Sequence, residues 1–109
     1  MRRKTVYIAG PMAGKPYLNR DAFNAAAVRL FKDGWNAVNP IALNSAIEIS
    51  GPEMADAVMD AERAMIPHLD AIYLLKGWED SEGAKKELRV ALENNLDVML
   101  ESDPGEASI

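Results

Sequence analysis

The chain has 109 residues, 49% of them hydrophobic, and a formal net charge of −5. That length admits one domain, and the acidic balance argues against a duplex nucleic-acid binder, which needs a basic face to neutralise phosphates. The absence of cysteine rules out disulfides and thiolate metal sites, and the single histidine, His68, disfavours a histidine zinc site.

Thr5-Val6-Tyr7-Ile8-Ala9 is β-branched and aromatic and ends at Gly10-Pro11, so it reads as a short buried strand entering a loop. Asn19 or Asp21 is placed to cap a helix running to about Asp33, with Phe23, Ala26, Ala27, Leu30 and Phe31 at helical spacing. Gly34 is a natural stop, Trp35 to Val38 reads as a second strand, and Asn39-Pro40 ends it. Residues 41–51 are ambiguous between a short helix and a loop. Ser50-Gly51-Pro52-Glu53 starts the next helix, whose stripe is Met54, Ala57, Val58, Ala61, Met65 and Leu69, with Glu62 exposed by default and Pro67 forcing an end near Ile66. His68 at that end suits the helix dipole.

Asp70 to Leu75 is the clearest buried strand, Lys76 to Asp80 a loop, and Ser81 the cap of a helix from about Glu82 to Asn94. Asn95-Leu96 turns into a last strand, Asp97 to Leu100, and a loose polar tail occupies 102–109 beyond a domain of residues 1–101. Strands alternating with helices predict an α/β fold: a single-domain, three-layer sandwich with a mostly parallel sheet of four to five strands, flavodoxin-like or Rossmann-like. No apolar run approaches the roughly 20 residues needed to cross a bilayer, and the apolar stretch after Met1-Arg2-Arg3-Lys4 is too short for a signal peptide. The expectation is a soluble, cytoplasmic chain with no membrane partner.

Open parallel sheets bind ligands beyond the carboxyl ends of their strands, which directs attention to residues 10–17, 39–45 and 76–81. The third segment continues as Ser81-Glu82-Gly83-Ala84-Lys85-Lys86-Glu87. Ser81 and Gly83 open a helix whose unpaired N–H groups favour an anion. Glu87 follows one turn later, where its side chain can lean back toward the helix start. No residue one turn away from Glu87 carries a charge that would explain it as half of an ion pair. Taken without further context, each of these residues has a plain structural reading: Ser81 as a cap, Glu87 and Glu62 as solvated helix residues, Tyr7 as core.

Three pieces occur together in order: Val6-Tyr7-Ile8-Ala9-Gly10-Pro11-Met12, Glu62 eight residues before Asp70-Ala71-Ile72, and Ser81-x-Gly83-x-x-x-Glu87-x-x-x-Ala91. The sequence thereby resembles the nucleoside 2-deoxyribosyltransferase superfamily over roughly residues 4–100. It is most similar to a short branch common in phage and prophage genomes, where a Gly-Trp pair like Gly77-Trp78 precedes a Ser-x-Gly-Ala segment like Ser81 to Ala84. The resemblance implies an N-glycosidase or deoxyribosyltransferase without metal or cofactor. Glu87 would be the nucleophile at the anomeric carbon, and Tyr7 would position it.

Glu62 stands where the family has an Asp that handles the base or its proton, one methylene longer here. Ser81, where free-nucleoside transferases tend to carry Asp, is similar to nucleoside 5′-monophosphate N-glycosidases; its hydroxyl suits a phosphate that a carboxylate would repel. Lys85 or Lys86 could add charge. Gly83, Gly10, Pro11 and Trp78 would complete the substrate site, Trp78 by stacking or shielding. The implied partners are a nucleoside or nucleotide and further copies of the chain, as a homodimer or larger homo-oligomer. The rival expectations are a non-catalytic nucleotide-binding module and a scaffold for NAD-like or cyclic nucleotide signals.

Overall fold

The computed structural model of the chain describes residues 3–44 and 51–101. The expectations for residues 45–50, Ser50 among them, and for the tail at 102–109 lie outside the described residues. Four strands, β1 (Thr5–Ala9), β2 (Asn36–Val38), β3 (Ala71–Leu74) and β4 (Asp97–Leu100), form one sheet in the order β2-β1-β3-β4. Every pairing is parallel, with Tyr7 opposite Val38 on one side and Ile72 on the other. The helices are α1 (Arg20–Lys32), α2 (Ala55–Met65) and α3 (Glu82–Glu93), and residues 41–44 are also helical.

Period-2 alternation divides β1 between two cores. Val6 and Ile8 pack with Phe23, Ala26 and Leu30 of α1 on one face. Tyr7 and Ala9 pack on the other with Ile66, Ile72, Leu74, Ala84 and Ala91, under α2 and α3. This is the three-layer α/β sandwich that the alternation of strands and helices predicts. Each fully buried Ile, Leu or Phe stabilises it by about 1.5–3 kcal/mol relative to exposure.

The ends of β1 and β3 are held tightly. A Cβ on Gly10 would lie 2.7 Å from the Leu75 Cβ, so only glycine lets these two chain segments approach so closely. Beside it, Pro11 is buried and its ring packs against Gly77.

Several expectations are corrected in detail. Phe31, in the last turn of α1, faces outward and is 60% exposed; the Arg3 guanidinium lies over its ring, 4.5 Å from the centroid. Arg3 is held there by donating to the Phe31, Gly34 and Trp35 carbonyls. Asn19 precedes α1 but makes no side-chain cap; its Nδ2 donates to the Pro11 carbonyl instead (3.0 Å).

On α2, Ala57 and Ala61 are exposed and the inward line runs Val58, Glu62, Ile66. Two alanines bury little area, and the rotation that hides them less hides Val58 and Ile66 fully. That rotation carries Glu62 inward, to 3% exposure. Pro67 ends α2 as expected, with the last α-helical residue at Met65 and a 3-10 turn over Ile66–His68. The predicted loop after β3 contains a further 3-10 turn, Trp78–Asp80. No helix among the described residues is long and apolar enough to cross a membrane.

Candidate active site

The sheet order reverses between β1 and β3, and a cavity of about 340 Å³ opens beside it, above the α2/α3 face. Its volume lies within the range of small-molecule sites. From the loop after β1 it is lined by Gly10, Met12 and Ala13, and from the turn before α1 by Leu18. Helix α2 contributes Met59, Glu62 and Arg63; α3 and its cap contribute Ser81, Gly83, Lys86 and Glu87; Asn44 completes the wall. Leu18 reaches it from an unusual backbone run, Tyr17, Leu18 and Asn19, all left-handed at φ 49°, 57° and 63°. Such conformations cost an L-residue roughly 1–2 kcal/mol each.

Behind the cavity wall, bonded to two of its residues, stands Tyr7, fully buried. Its phenol oxygen lies 2.5 Å from Glu62 Oε2 and 2.7 Å from Glu87 Oε2. A phenol has one proton and can donate it to one carboxylate only. The other short contact therefore requires a carboxyl that carries a proton of its own. Burial pushes the Glu87 carboxyl up to about 8, with the neighbouring Glu62 adding to the rise, while the Tyr7 hydroxyl and the Arg63 guanidinium oppose it. Burial thus favours the protonated form of Glu87. Tyr7 is itself driven well above the ordinary phenol range by burial and by both carboxyl groups, and stays neutral. Asn44 Nδ2 donates to the Pro40 carbonyl (3.0 Å) and lies 3.3 Å from Glu62 Oε2.

Ser81 caps α3: its Oγ accepts from the Ala84 N–H at 3.2 Å, which leaves its own hydroxyl proton free to donate into the cavity. Gly83 has open space where a Cβ would be, the nearest atom being Ser81 Oγ at 4.0 Å, so no protein packing demands a glycine there. Lys85 turns away to pair with Glu82 (2.9 Å), whereas Lys86 lines the cavity. Arg63 is anchored along its own helix, with Nη2 3.3 Å from Asp60 Oδ1. Among the described residues no three His, Asp or Glu side chains gather closely enough to hold a metal ion.

Of the residues singled out from the sequence, Glu62, Glu87, Ser81, Gly83 and Gly10 line this cavity, and Tyr7 holds Glu62 and Glu87 from behind it. Pro11 and Trp78 do not. Pro11 faces Gly77, and Trp78 packs against the core and borders a separate hollow of about 210 Å³ near Leu100 and Glu101. Met12 and Asn44 lie in the strand-end segments that the sequence pointed to, though neither was singled out as a site residue; Arg63, Leu18 and Met59 were missed. Arg63 was discoverable, since it directly follows Glu62 on the same helix; Leu18 and Met59 carry no local signal.

Fold and site together define an α/β protein in which one buried tyrosine joins two carboxyl groups at the floor of a cavity beside its sheet's switch point. The chain belongs to the family described as "Domain of unknown function (DUF4406)", whose profile matches residues 4–100. Comparison with curated proteins gives no match.

Proposed function

We propose that the protein is an N-glycosidase or deoxyribosyltransferase acting on a nucleoside or, by preference, a (deoxy)nucleoside 5′-monophosphate. The observation that carries this reading is the pair Glu87 and Glu62, both hydrogen-bonded to buried Tyr7 and both lining one cavity. The cavity's walls divide by chemistry in a way that suits a nucleotide. Met12, Leu18 and Met59 offer an apolar surface for a base, and Ser81, Lys86 and Arg63 offer donors and positive charge for a phosphate near the start of α3.

In the proposed reaction Glu87 attacks the anomeric carbon as a carboxylate. The C–N bond breaks, its electron pair goes to the base nitrogen, and Glu62 supplies the proton that the base takes. Water, or a second base, then displaces Glu87 from the sugar and returns a proton to Glu62, with retention of configuration. No metal or redox cofactor enters this scheme. The raised proton affinity of Glu87 favours one rival, a nucleotide-binding module without turnover, since a protonated carboxyl is a poor nucleophile.

Incubation with ribo- and deoxynucleosides and their 5′-monophosphates, with chromatographic detection of free base, separates the two. Release that disappears in Glu87→Ala supports the enzyme, and binding without release supports the module. A homodimer or larger homo-oligomer in the cytoplasm remains part of the proposal, checked by light scattering of the purified protein.

A further inference from the structure

We infer that Tyr7 is a proton relay between the two carboxyl groups: as Glu87 gives its proton to the phenol, the phenol gives its own to Glu62, which delivers it to the departing base. This rests on the reaction proposed above and goes beyond a positioning role for the tyrosine. The argument begins with the two contacts at one phenol oxygen, 2.5 Å to Glu62 and 2.7 Å to Glu87. Both contacts are satisfied when one carboxyl O–H donates to the Tyr7 oxygen and the Tyr7 O–H donates to the other; burial of Glu87 makes it the donor at the start of the relay. If both protons move one step along this line, Glu87 becomes a carboxylate and Glu62 a carboxylic acid. Tyr7 ends as it began, a neutral phenol. The net charge of the cluster does not change, which matters in a place where Tyr7 and Glu62 are nearly inaccessible to water.

The shift resolves the conflict between a nucleophile that must be ionised and a carboxyl whose burial favours the protonated form. It also supplies an acid at Glu62 at the same moment. Glu62 can take part because its side chain reaches the phenol from α2.

The charged groups around the cluster are Arg63 and Glu62 on α2, and Lys86 and Glu87 on α3; β1 contributes Tyr7, and Asn44 is neutral. Arg63 favours the ionised form of Glu87 and so lowers the energy of the shifted arrangement. During the second half of the reaction the order reverses. Water adds to the anomeric carbon, the Glu87–sugar bond breaks, the water proton passes to Glu62, and the two-step shift restores the starting state.

The test uses a nucleotide whose base leaves without needing a proton, an N7-methylated purine nucleoside 5′-monophosphate, beside its unmethylated parent. With the parent, wild-type turnover falls as pH rises through about 8, where the shared proton is lost. With the methylated substrate that fall disappears.

Tyr7→Phe strands the proton on Glu87. Its activity on the methylated substrate is then reduced about 10²-fold or more near pH 6 and climbs toward the wild-type rate above pH 8. A Tyr7→Phe profile that is merely scaled down, with the wild-type shape, overturns the relay and leaves Tyr7 as a positioning residue. Should that variant fail to fold, a proton inventory of the wild type decides: dependence on the square of the deuterium fraction indicates two protons in motion, and a linear plot overturns the relay.

If no base is released from any nucleotide, the proposed reaction fails while the relay remains testable by ¹³C NMR of the glutamate side chains. Fast proton exchange between the two glutamate side chains in the wild type that becomes slow in Tyr7→Phe supports it. Equal exchange rates in the two proteins overturn it.

Discussion

Glu87→Gln isolates the consequence of burying a carboxyl that keeps its proton. An unfolded chain releases that proton near the ordinary value of 4.5, whereas the folded chain holds it up to about 8. Between these values the folded state binds more protons at this site than the unfolded state, so rising pH drives unfolding. The stability linked to Glu87 is complete below pH 4.5 and is gone above about 8. Each tenfold change in proton affinity is worth roughly 1.4 kcal/mol. The interval therefore corresponds to about 2–5 kcal/mol, the lower end allowing for Glu62 on the same phenol. That is a large share of the 5–15 kcal/mol typical of a domain.

Gln at position 87 has the same shape, can donate an amide N–H to the Tyr7 oxygen, and has no proton to lose in this range. Urea unfolding followed through Trp35 and Trp78, both half-buried, reads the difference. With a urea dependence of about 1–3 kcal/mol per molar, the wild-type midpoint falls by about 1 M or more between pH 5 and 9, and the Glu87→Gln midpoint stays nearly level. Equal slopes for the two proteins would refute the reasoning.

Gly83→Ala removes open space in the cavity and disturbs no packing, so thermal unfolding shows a stability gain of about 0.5 kcal/mol, while isothermal titration shows weaker nucleotide binding. Ser81→Ala loses the cap on α3 and about 1 kcal/mol in urea unfolding. Ser81→Asp keeps an oxygen for that cap but repels a phosphate, and steady-state kinetics show a larger loss on monophosphates than on nucleosides. Gly10→Ala drives a methyl into Leu75 and destabilises by about 1–3 kcal/mol, measured by denaturant unfolding.

The sheet was readable because its signals are local. Tyr7-Ile8-Ala9 and Ile72-Tyr73-Leu74 are short apolar runs closed by turn residues, and Pro67 and Ser81 mark helix boundaries by backbone chemistry alone. The depth of Glu62 was not readable. Its burial depends on how α2 is rolled against the sheet, which follows from Val58 and Ile66 finding room and from a phenol standing on a strand 55 residues away. Phe31 misled for the complementary reason: helical spacing places it beside the apolar face, but the roll of α1 buries Phe23, Ala26 and Leu30 and leaves Phe31 outside, where Arg3, 28 residues earlier, lies over its ring. Arg63 and Lys86 meet across the cavity only through the packing of α2 against α3.

The close fit of Gly10 on Leu75 and of Pro11 on Gly77 ties two loops into one knot. Neither loop can be remodelled alone, because any bulk added to one must displace the other. A lineage adapting this cavity to a new ligand would therefore write its changes on the helices, at Met59, Arg63 and Lys86, which touch the space without touching the knot. Variation among natural homologues should concentrate there, with the strand ends beneath left untouched.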